Sequence, residues 1–168
     1  MRVSSPAPDH VEVPLRDGRV ATIRPIAPSD AERLVRFHAT LSDRSIYQRY
    51  FSAHPRLSEK EVARFTQVDH THREAYIGVV DDEIIGVGRW DEVTSVSAEV
   101  AFLITDEFQG LGLGSVLFKL LAQAARGRGF NEFIDDFGES ISKVNEEGTV
   151  FLSTRLPELG EGGLVASE

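Results

Sequence analysis

The spacing of hydrophobic and polar positions changes along the chain. Residues 11–26 ("VEVPLRDGRVATIRPI") alternate apolar and polar positions around the turn "RDG", which predicts a strand or hairpin. Three stretches with helical spacing follow, at 28–41, 44–51 and 57–68. The first and third of these open on a predicted capping box, Ser29 with Glu32 and Ser58 with Glu61.

From residue 74 onward, strand patterns replace the helical ones. "EAYIGVVDDEIIGVGRWDE" contains two apolar runs around Asp81 and Asp82, which predicts a β-hairpin. "SAEVAFLI" predicts another strand, a glycine-rich turn follows, and a helix is predicted from Ser115 to Arg128. "FNEFIDDF" predicts one more strand. Three consecutive strands without helices between them indicate an antiparallel meander in a mixed α+β (mixed α/β) domain.

Composition narrows the class of protein. The 168 residues fit one domain with its own core, 41% of them hydrophobic and 27% charged. We divide the chain into a flexible N-terminal arm at 1–10, a core at 11–137 and an atypical C-terminal segment at 138–168. The chain contains no cysteine, which excludes disulfides and thiolate metal sites.

The net charge of −9 disfavours nucleic acid as a partner and suits an amine-bearing substrate. No apolar run approaches the ~18 residues of a membrane span, and no apolar leader is evident, so we expect a cytoplasmic protein with no membrane partner.

The glycine-rich turn, "QGLGLG" at 109–114, carries the strongest chemical signal. Glycine permits close approach of the backbone to a ligand, and a helix N-terminus presents free N–H groups that favour phosphate. A P-loop is excluded because no Lys-Ser or Lys-Thr follows the glycines. A dinucleotide fingerprint is disfavoured because Leu117 stands where its third glycine belongs. A glycine-rich connection without a ligand is the remaining alternative.

The same turn matches each fixed position of the Q/R-x-x-G-x-G/A loop of the GNAT superfamily of acyl-CoA-dependent N-acyltransferases. Residues 12–133 resemble GNAT domains in the order of their elements. The wording "LSDRSIYQRYF", "LSEKEVARFTQVDH" and "IIGVGRW" is similar to the acetyltransferase domain of bacterial Pat-type protein-lysine acetyltransferases, which modify acyl-CoA synthetases and similar enzymes. The resemblance implies a GNAT fold, a central, mostly antiparallel twisted sheet flanked by helices.

The resemblance also implies a binding site for acetyl-CoA. Main-chain groups of the glycine turn would hold its diphosphate, and the end of the preceding strand would hold its pantetheine arm. The N–H of Leu103 would polarise the thioester carbonyl, a type of contact worth ~3 kcal/mol in enzymes. The implied coenzyme-binding residues are Leu103, Ile104, Thr105, Gln109, Gly110, Leu111, Gly112, Leu113, Gly114 and Ser115.

Glu99, in "AEVAF", is the candidate general base. Near pH 7 only about one lysine amine in a few thousand is neutral, so a carboxylate that takes the proton helps the reaction. Strand alternation places Glu99 on the same side as Ala101 and Leu103. The resemblance implies the same role, since several protein acetyltransferases of the superfamily have their base here. A strand-end glutamate that faces water is the alternative.

The chain departs from the GNAT pattern after Phe133. The family's tyrosine acid has no counterpart there, and Ser140, Ser142 or water could replace it. One strand is predicted, at "GTVFLS", and two closing strands do not fit; we therefore predict either a homodimer that completes the sheet or an impaired domain.

The sequence predicts an enzyme that transfers acetyl from acetyl-CoA directly to an amine, foremost a protein lysine. The alternatives are a small-amine N-acetyltransferase and a CoA-binding regulatory module with little turnover. We predict no metal site, because His70 and His72 lack a third ligand at suitable spacing.

Overall fold

A single sheet organises the chain, and its eight strands lie side by side in the order in which they occur in the sequence. The structure is a computed structural model, and it describes residues 10–50, 56–134, 140–144 and 150–152. The strands are β1 (Val11–Pro14), β2 (Val20–Pro25), β3 (Arg73–Val80), β4 (Glu83–Glu92), β5 (Ser97–Ile104), β6 (Glu132–Ile134), β7 (Ser140–Val144) and β8 (Val150–Leu152).

Helices cover both faces of this sheet. They are α1 (Ala31–Thr40), α2 (Asp43–Tyr50), α3 (Glu59–Thr66) and α4 (Leu113–Gly127), with short 3-10 turns at Pro28–Asp30 and Asp106–Phe108. Residues 11–26 form the predicted hairpin, and Asp81 and Asp82 form the predicted tight turn, both with positive φ. The mixed α+β architecture with a mostly antiparallel sheet is confirmed. None of the described helices is long and apolar enough to cross a membrane.

Among the described strands, one pairing is parallel, that of β5 with β6. It involves three residue pairs, Ser97 with Glu132, Ala98 with Phe133 and Glu99 with Ile134. The described part of β6 ends at Ile134, and residues 100–104 of β5 have no partner on this side among the described residues. We call this stretch, directly before the glycine turn, the gap in the described pairing of β5.

Side chains of β5 alternate between two hydrophobic clusters. Val100, Phe102 and Ile104 pack with α4, which contributes Leu113, Leu117, Phe118 and Leu121. Leu103 packs on the opposite face, against the cluster formed with α1. The predicted alternation is thus confirmed, and it assigns Glu99, Ala101 and Leu103 to the face covered by α1 and α3.

The start of α1 differs from the prediction. The helix begins at Ala31, and the buried carboxylate of Asp30, rather than a Ser29–Glu32 capping box, organises its first turn. Asp30 accepts hydrogen bonds from the main-chain N–H of Ala27 at 2.8 Å and from both terminal nitrogens of Arg24 at 2.7 and 2.8 Å. The second predicted capping box is confirmed at α3, where the Ser58 hydroxyl accepts from Glu61 N–H and the Glu61 carboxylate accepts from Ser58 N–H.

The expectation that two closing strands cannot fit is wrong. β7 pairs antiparallel with β6, and β8 pairs antiparallel with β7. The sequence pattern showed only the segment that becomes β8, because "SISKV" of β7 has too few apolar residues to stand out. The argument for a homodimer, an uncompleted sheet, therefore loses its basis.

Candidate functional site

The glycine turn forms a loop that we call the diphosphate loop, residues 109–115, between the end of β5 and the first turn of α4. Gly110 and Gly112 have φ angles of 74° and 97°, in the left-handed region that favours glycine. A Cβ built on either residue would meet no heavy atom within 4 Å. These glycines are therefore required by backbone conformation, and the space above them is open.

Main-chain N–H groups of the diphosphate loop lie in or next to the first turn of α4. Among the described residues, no protein acceptor receives a hydrogen bond from the N–H groups of Leu111, Gly112, Leu113, Gly114 or Ser115. The intrahelical bonds of α4 begin with Val116 N–H, which donates to Gly112 C=O at 3.4 Å. Free N–H groups at the positive end of a helix dipole suit an anion such as a diphosphate.

The side chain of Gln109 stabilises the loop through two hydrogen bonds. Its side-chain Nε2 donates to the C=O of Ile104 at 3.0 Å and to the carboxylate of Asp106 at 3.2 Å. The amide group thus ties the end of β5 to the 3-10 turn that follows. The structure places Gln109 within the predicted site, with its side chain engaged by the loop itself.

Hydrogen bonds at both ends of the β4–β5 ladder fix which main-chain groups of β5 face the gap. Thr105 N–H donates to Ile85 C=O, and Val93 N–H donates to Ser97 C=O, each at 3.0 Å. The register between these bonds has no shift, so the N–H of every odd-numbered β5 residue, including Leu103, points to β4. The N–H groups of Phe102 and Ile104 point to the other side, where the gap lies.

A narrow apolar cleft lies on the face of the sheet covered by α1 and α3. We call it the acceptor cleft. It is lined by Leu34, Phe37, His38, Leu57, Phe65, Val87, Arg89, Ala101, Phe102 and Leu103. The cleft thus adjoins the part of β5 that carries the predicted catalytic residues.

Two carboxylates share the sheet face of the acceptor cleft. Glu99 of β5 lies directly opposite Asp91 of β4, and both are half-buried. Asp91 also forms a long ion pair with Arg64 of α3, at 3.6 Å. Sequence reasoning singled out Glu99 and missed Asp91, because only the register between two strands reveals their opposition.

The two histidines considered as metal ligands contact different carboxylates. His70 Nδ1 lies 2.7 Å from Glu74 Oε1, and His72 Nδ1 lies 3.1 Å from Asp69 Oδ2. The N–H of Thr71, together with those of Arg73 and His72, holds the pKa of the Asp69 carboxyl well below its usual range. Within the described ranges, no group of three or more histidines and carboxylates could hold a metal ion.

The candidate replacements for a tyrosine acid lie at the far side of β6. Ser142 is opposite Phe133 and Ser140 is opposite Ile134 in the β6–β7 ladder. The structure therefore brings their strand next to the short β5–β6 pairing.

Comparison with known proteins identifies the family of this chain. The model of the acetyltransferase (GNAT) family matches residues 43–139. The solved GNAT domain of S. lividans PAT is 40% identical, with a TM-score of 0.74 over 79% of this chain and 80% of that domain.

Two curated bacterial proteins are also similar. An acetyltransferase of Pseudomonas aeruginosa is 31% identical over 129 residues, which make up 74% of this chain and 69% of that protein. The acetyltransferase Pat of Mycolicibacterium smegmatis is 28% identical over 130 residues, 73% of this chain but only 38% of Pat. With its family match, its fold and its glycine turn in agreement, the chain belongs to the GNAT family of acyl-CoA-dependent acetyltransferases.

Proposed function

We propose that this protein transfers the acetyl group of acetyl-CoA to the side-chain amine of a protein lysine. One strand carries the proposal: β5 holds a carboxylate, Glu99, on the same sheet face as Ala101 and Leu103 of the acceptor cleft. The same strand borders the gap with Phe102 and Ile104 and leads into the diphosphate loop. At ~3.3 Å per residue the strand has the length to separate an amine from a diphosphate by the span of a pantetheine arm.

The open N–H groups of Leu111 to Ser115 would hold the diphosphate of the coenzyme, and the gap beside β5 would receive the pantetheine arm. This fit rests on the unused loop N–H groups and the open space above Gly110 and Gly112. When bound, acetyl-CoA supplies the acetyl group as a thioester. Ile104 and Thr105 border the arm in this arrangement.

The main-chain donor for the thioester carbonyl is reassigned by the strand register. Leu103 N–H, the choice made from the sequence, points toward Val87 of β4. We assign the role to the N–H of Phe102 or Ile104, which face the gap. Leu103 instead lines the acceptor cleft with its side chain.

Glu99 is proposed to take the proton from the incoming ammonium group, so that the neutral amine attacks the thioester carbon. Such a general base contributes roughly 10²–10⁴ in rate. The C–N bond forms, the C–S bond breaks, and CoA leaves as a thiolate, which takes up, through water, the second proton that the acetylated nitrogen loses. The CoA thiol has a pKa near the ~8.5 of a cysteine, so the leaving group needs little assistance.

A lysine acceptor is supported by charge and by similarity. Asp91 and Glu99 place two acidic groups on the sheet face of the acceptor cleft, near the cations of Arg64 and Arg89. The whole chain carries a net charge of −9, and a net negative charge attracts a cationic acceptor. The similar solved domain and one similar curated protein bear the name Pat. A cytoplasmic location stays a prediction from the sequence, and so does a homodimer, although the uncompleted sheet no longer supports it.

The test is CoA thiol release when the protein is mixed with acetyl-CoA and one acceptor at a time. Acceptors would be an acyl-CoA synthetase, spermidine, free lysine and an aminoglycoside. We expect release with the protein acceptor, and acetyl-lysine on it by mass spectrometry. Release only with a small amine would identify a small-amine transferase. Tight CoA binding with no release from any acceptor would identify a regulatory module instead.

A further inference from the structure

The turn between β1 and β2 contacts the diphosphate loop although it is far from it in sequence. Leu15, at the end of β1, is buried in the same cluster as Phe108 and Leu113. Arg16 follows it and is exposed, so apolar burial contributes little to the position of its side chain. Its hydrogen bonds to the loop are the contacts that hold it.

Arg16 makes two hydrogen bonds to successive carbonyl groups of the loop. Its main-chain N–H donates to Leu111 C=O at 3.3 Å, and its guanidinium Nη1 donates to Gly110 C=O at 3.1 Å. The Leu111 side chain also packs against the core cluster, whereas Gly110 has no side chain to hold it. Arg16 thus fixes the orientation of two consecutive peptide planes.

Those two planes carry N–H groups of the proposed coenzyme site. In a trans peptide the C=O of one residue and the N–H of the next point in opposite directions. With Gly110 C=O directed at the guanidinium, Leu111 N–H points away from the β1–β2 turn. With Leu111 C=O directed at Arg16 N–H, Gly112 N–H does the same. Both N–H groups therefore point away from the β1–β2 turn, and neither has a protein acceptor among the described residues.

The neighbouring arginine supports the same arrangement from the other end of the loop. The Arg19 guanidinium lies 3.9 Å from the centre of the Phe108 ring, and its Nη1 lies 3.4 Å from the Glu107 carboxylate. Arg19 thus holds the 3-10 turn that precedes the loop, and Arg16 holds the glycines that follow it. The β1–β2 turn supports both parts.

We infer that Arg16 is a positioning residue for coenzyme binding: by orienting the Gly110 and Leu111 peptide groups, it preorganises the Leu111 and Gly112 N–H groups for the diphosphate. This inference rests on the proposed function, because it concerns the same coenzyme site. It differs from a direct phosphate contact, because the guanidinium is engaged by a carbonyl.

The experiment compares the unaltered protein with Arg16→Ala in calorimetric titrations. The ligands are CoA, dephospho-CoA, which keeps the diphosphate but lacks the 3′-phosphate, and pantetheine, which has no phosphate and is measured by competition. We expect CoA and dephospho-CoA to bind about threefold to tenfold more weakly to the variant, the loss of one hydrogen bond, at low and at high salt alike. Pantetheine should bind equally to both proteins, and the KM for acetyl-CoA should rise while kcat is kept.

Arg36→Ala is the matched control, because Arg36 is an exposed arginine whose ion pair with Glu83 lies away from the loop. Arg36→Ala should change neither the affinity for CoA nor the affinity for dephospho-CoA. Unchanged CoA binding by Arg16→Ala would overturn the inference. Three other outcomes would also overturn it. They are an affinity loss for CoA but not for dephospho-CoA, which indicates a contact with the 3′-phosphate, an affinity loss that vanishes at high salt, and an affinity loss that pantetheine shares. If the unaltered protein binds no CoA, the coenzyme proposal fails as well.

Discussion

Glu99 and Asp91 are two acidic residues directly opposite each other on neighbouring strands, an arrangement that costs stability unless a cation compensates it. Arg64 of α3 lies near Asp91, and Arg89 of β4 lines the acceptor cleft on the same side of the sheet. An incoming ammonium group would add a further positive charge. At the scale of single residues, this pair is the feature of the cleft that best fits a lysine acceptor.

We expect Glu99→Gln to lower kcat by roughly 10²-fold or more, because the amide cannot take a proton, while CoA affinity stays unchanged. Thiol release measures the first quantity and calorimetry the second. Glu83→Gln is the control, since Glu83 is an exposed strand residue paired with Arg36. Full turnover by the Glu99 variant would remove this residue from the mechanism.

Gly112→Ala tests the diphosphate loop against a second glycine: Gly112 precedes α4, and Gly129 follows the other end of the same helix. Gly112 and Gly129 have φ angles of 97° and 92°, and both have open space at Cβ. Alanine at either position should cost about 1–2 kcal/mol of unfolding free energy through backbone strain. Only Gly112→Ala should also weaken CoA binding, because its methyl group enters the ligand's space.

Calorimetry with CoA and denaturant titrations would measure both effects. Equal CoA affinity for the two alanine variants would contradict the assignment of the loop.

Single residues were predicted unevenly from the sequence. Gly110 and Gly112 could be identified because their spacing reflects a local backbone requirement. The side of the strand on which Glu99 lies could be predicted because side chains alternate regularly. The main-chain N–H of Leu103 was predicted to donate to the thioester carbonyl, but in the structure it points to β4. The direction of an N–H group depends on how its strand pairs with β4, and the local sequence does not show that pairing.

At the scale of elements, α4 lies close to the sheet because three glycines provide a flat surface beneath it. A Cβ on Gly78 or Gly86 would lie 3.0 or 2.7 Å from side-chain atoms of Leu113. A Cβ on Gly88 would lie 2.8 Å from both Leu121 and Phe102. The close approach keeps the N-terminus of α4 next to the end of β5, where the diphosphate loop must turn.

We expect Gly88→Val to lower the free energy of unfolding by about 1–3 kcal/mol, because the new side chain meets two buried neighbours. Gly127→Ala, in the last turn of α4 with open space at Cβ, should instead raise it by up to ~1 kcal/mol. Urea titrations measure both. A Gly88 variant as stable as the parent would show that α4 can shift outward without cost.

The elements show why capping was predicted only in part. At α3 the serine and glutamate of the capping box lie within one helical turn and form both of its hydrogen bonds. At α1 the same pattern was overridden because Arg24, from β2, binds Asp30 and fixes the helix start one residue later than a Ser29 cap implies.

At the scale of the whole molecule, the Arg24–Asp30 pair connects the sheet to the helix layer that covers the acceptor cleft. Burial alone would raise the pKa of the Asp30 carboxyl, but hydrogen bonds from Arg24 and Ala27 N–H outweigh this and lower it. Because the folded-state pKa lies below the unfolded one, this contribution is present above the unfolded pKa of about 3.9 and is lost as pH falls through the folded value.

We therefore expect Asp30→Asn to lower the free energy of unfolding by about 3 kcal/mol at neutral pH. The difference from the parent should shrink as the pH falls below about 4, where the parent loses the pair too. Thermal melts across pH measure it. Asp82→Asn, at an exposed ion pair with Arg33, should cost no more than ~1 kcal/mol at any pH. A pH-independent difference for Asp30→Asn would show that the carboxylate charge contributes nothing.

The order of the sheet has a consequence for how the chain folds. Every strand lies beside the strand that precedes it in the sequence. Most pairings therefore join segments that are close in sequence, and such pairings form quickly during folding. Two steps must wait for an intervening helical segment, the joining of β2 to β3 and of β5 to β6. The described residues give the second pairing three residue pairs, against seven between β4 and β5, so we expect β5 to separate from β6 more readily than from β4 in the native protein, beside the path a coenzyme would take.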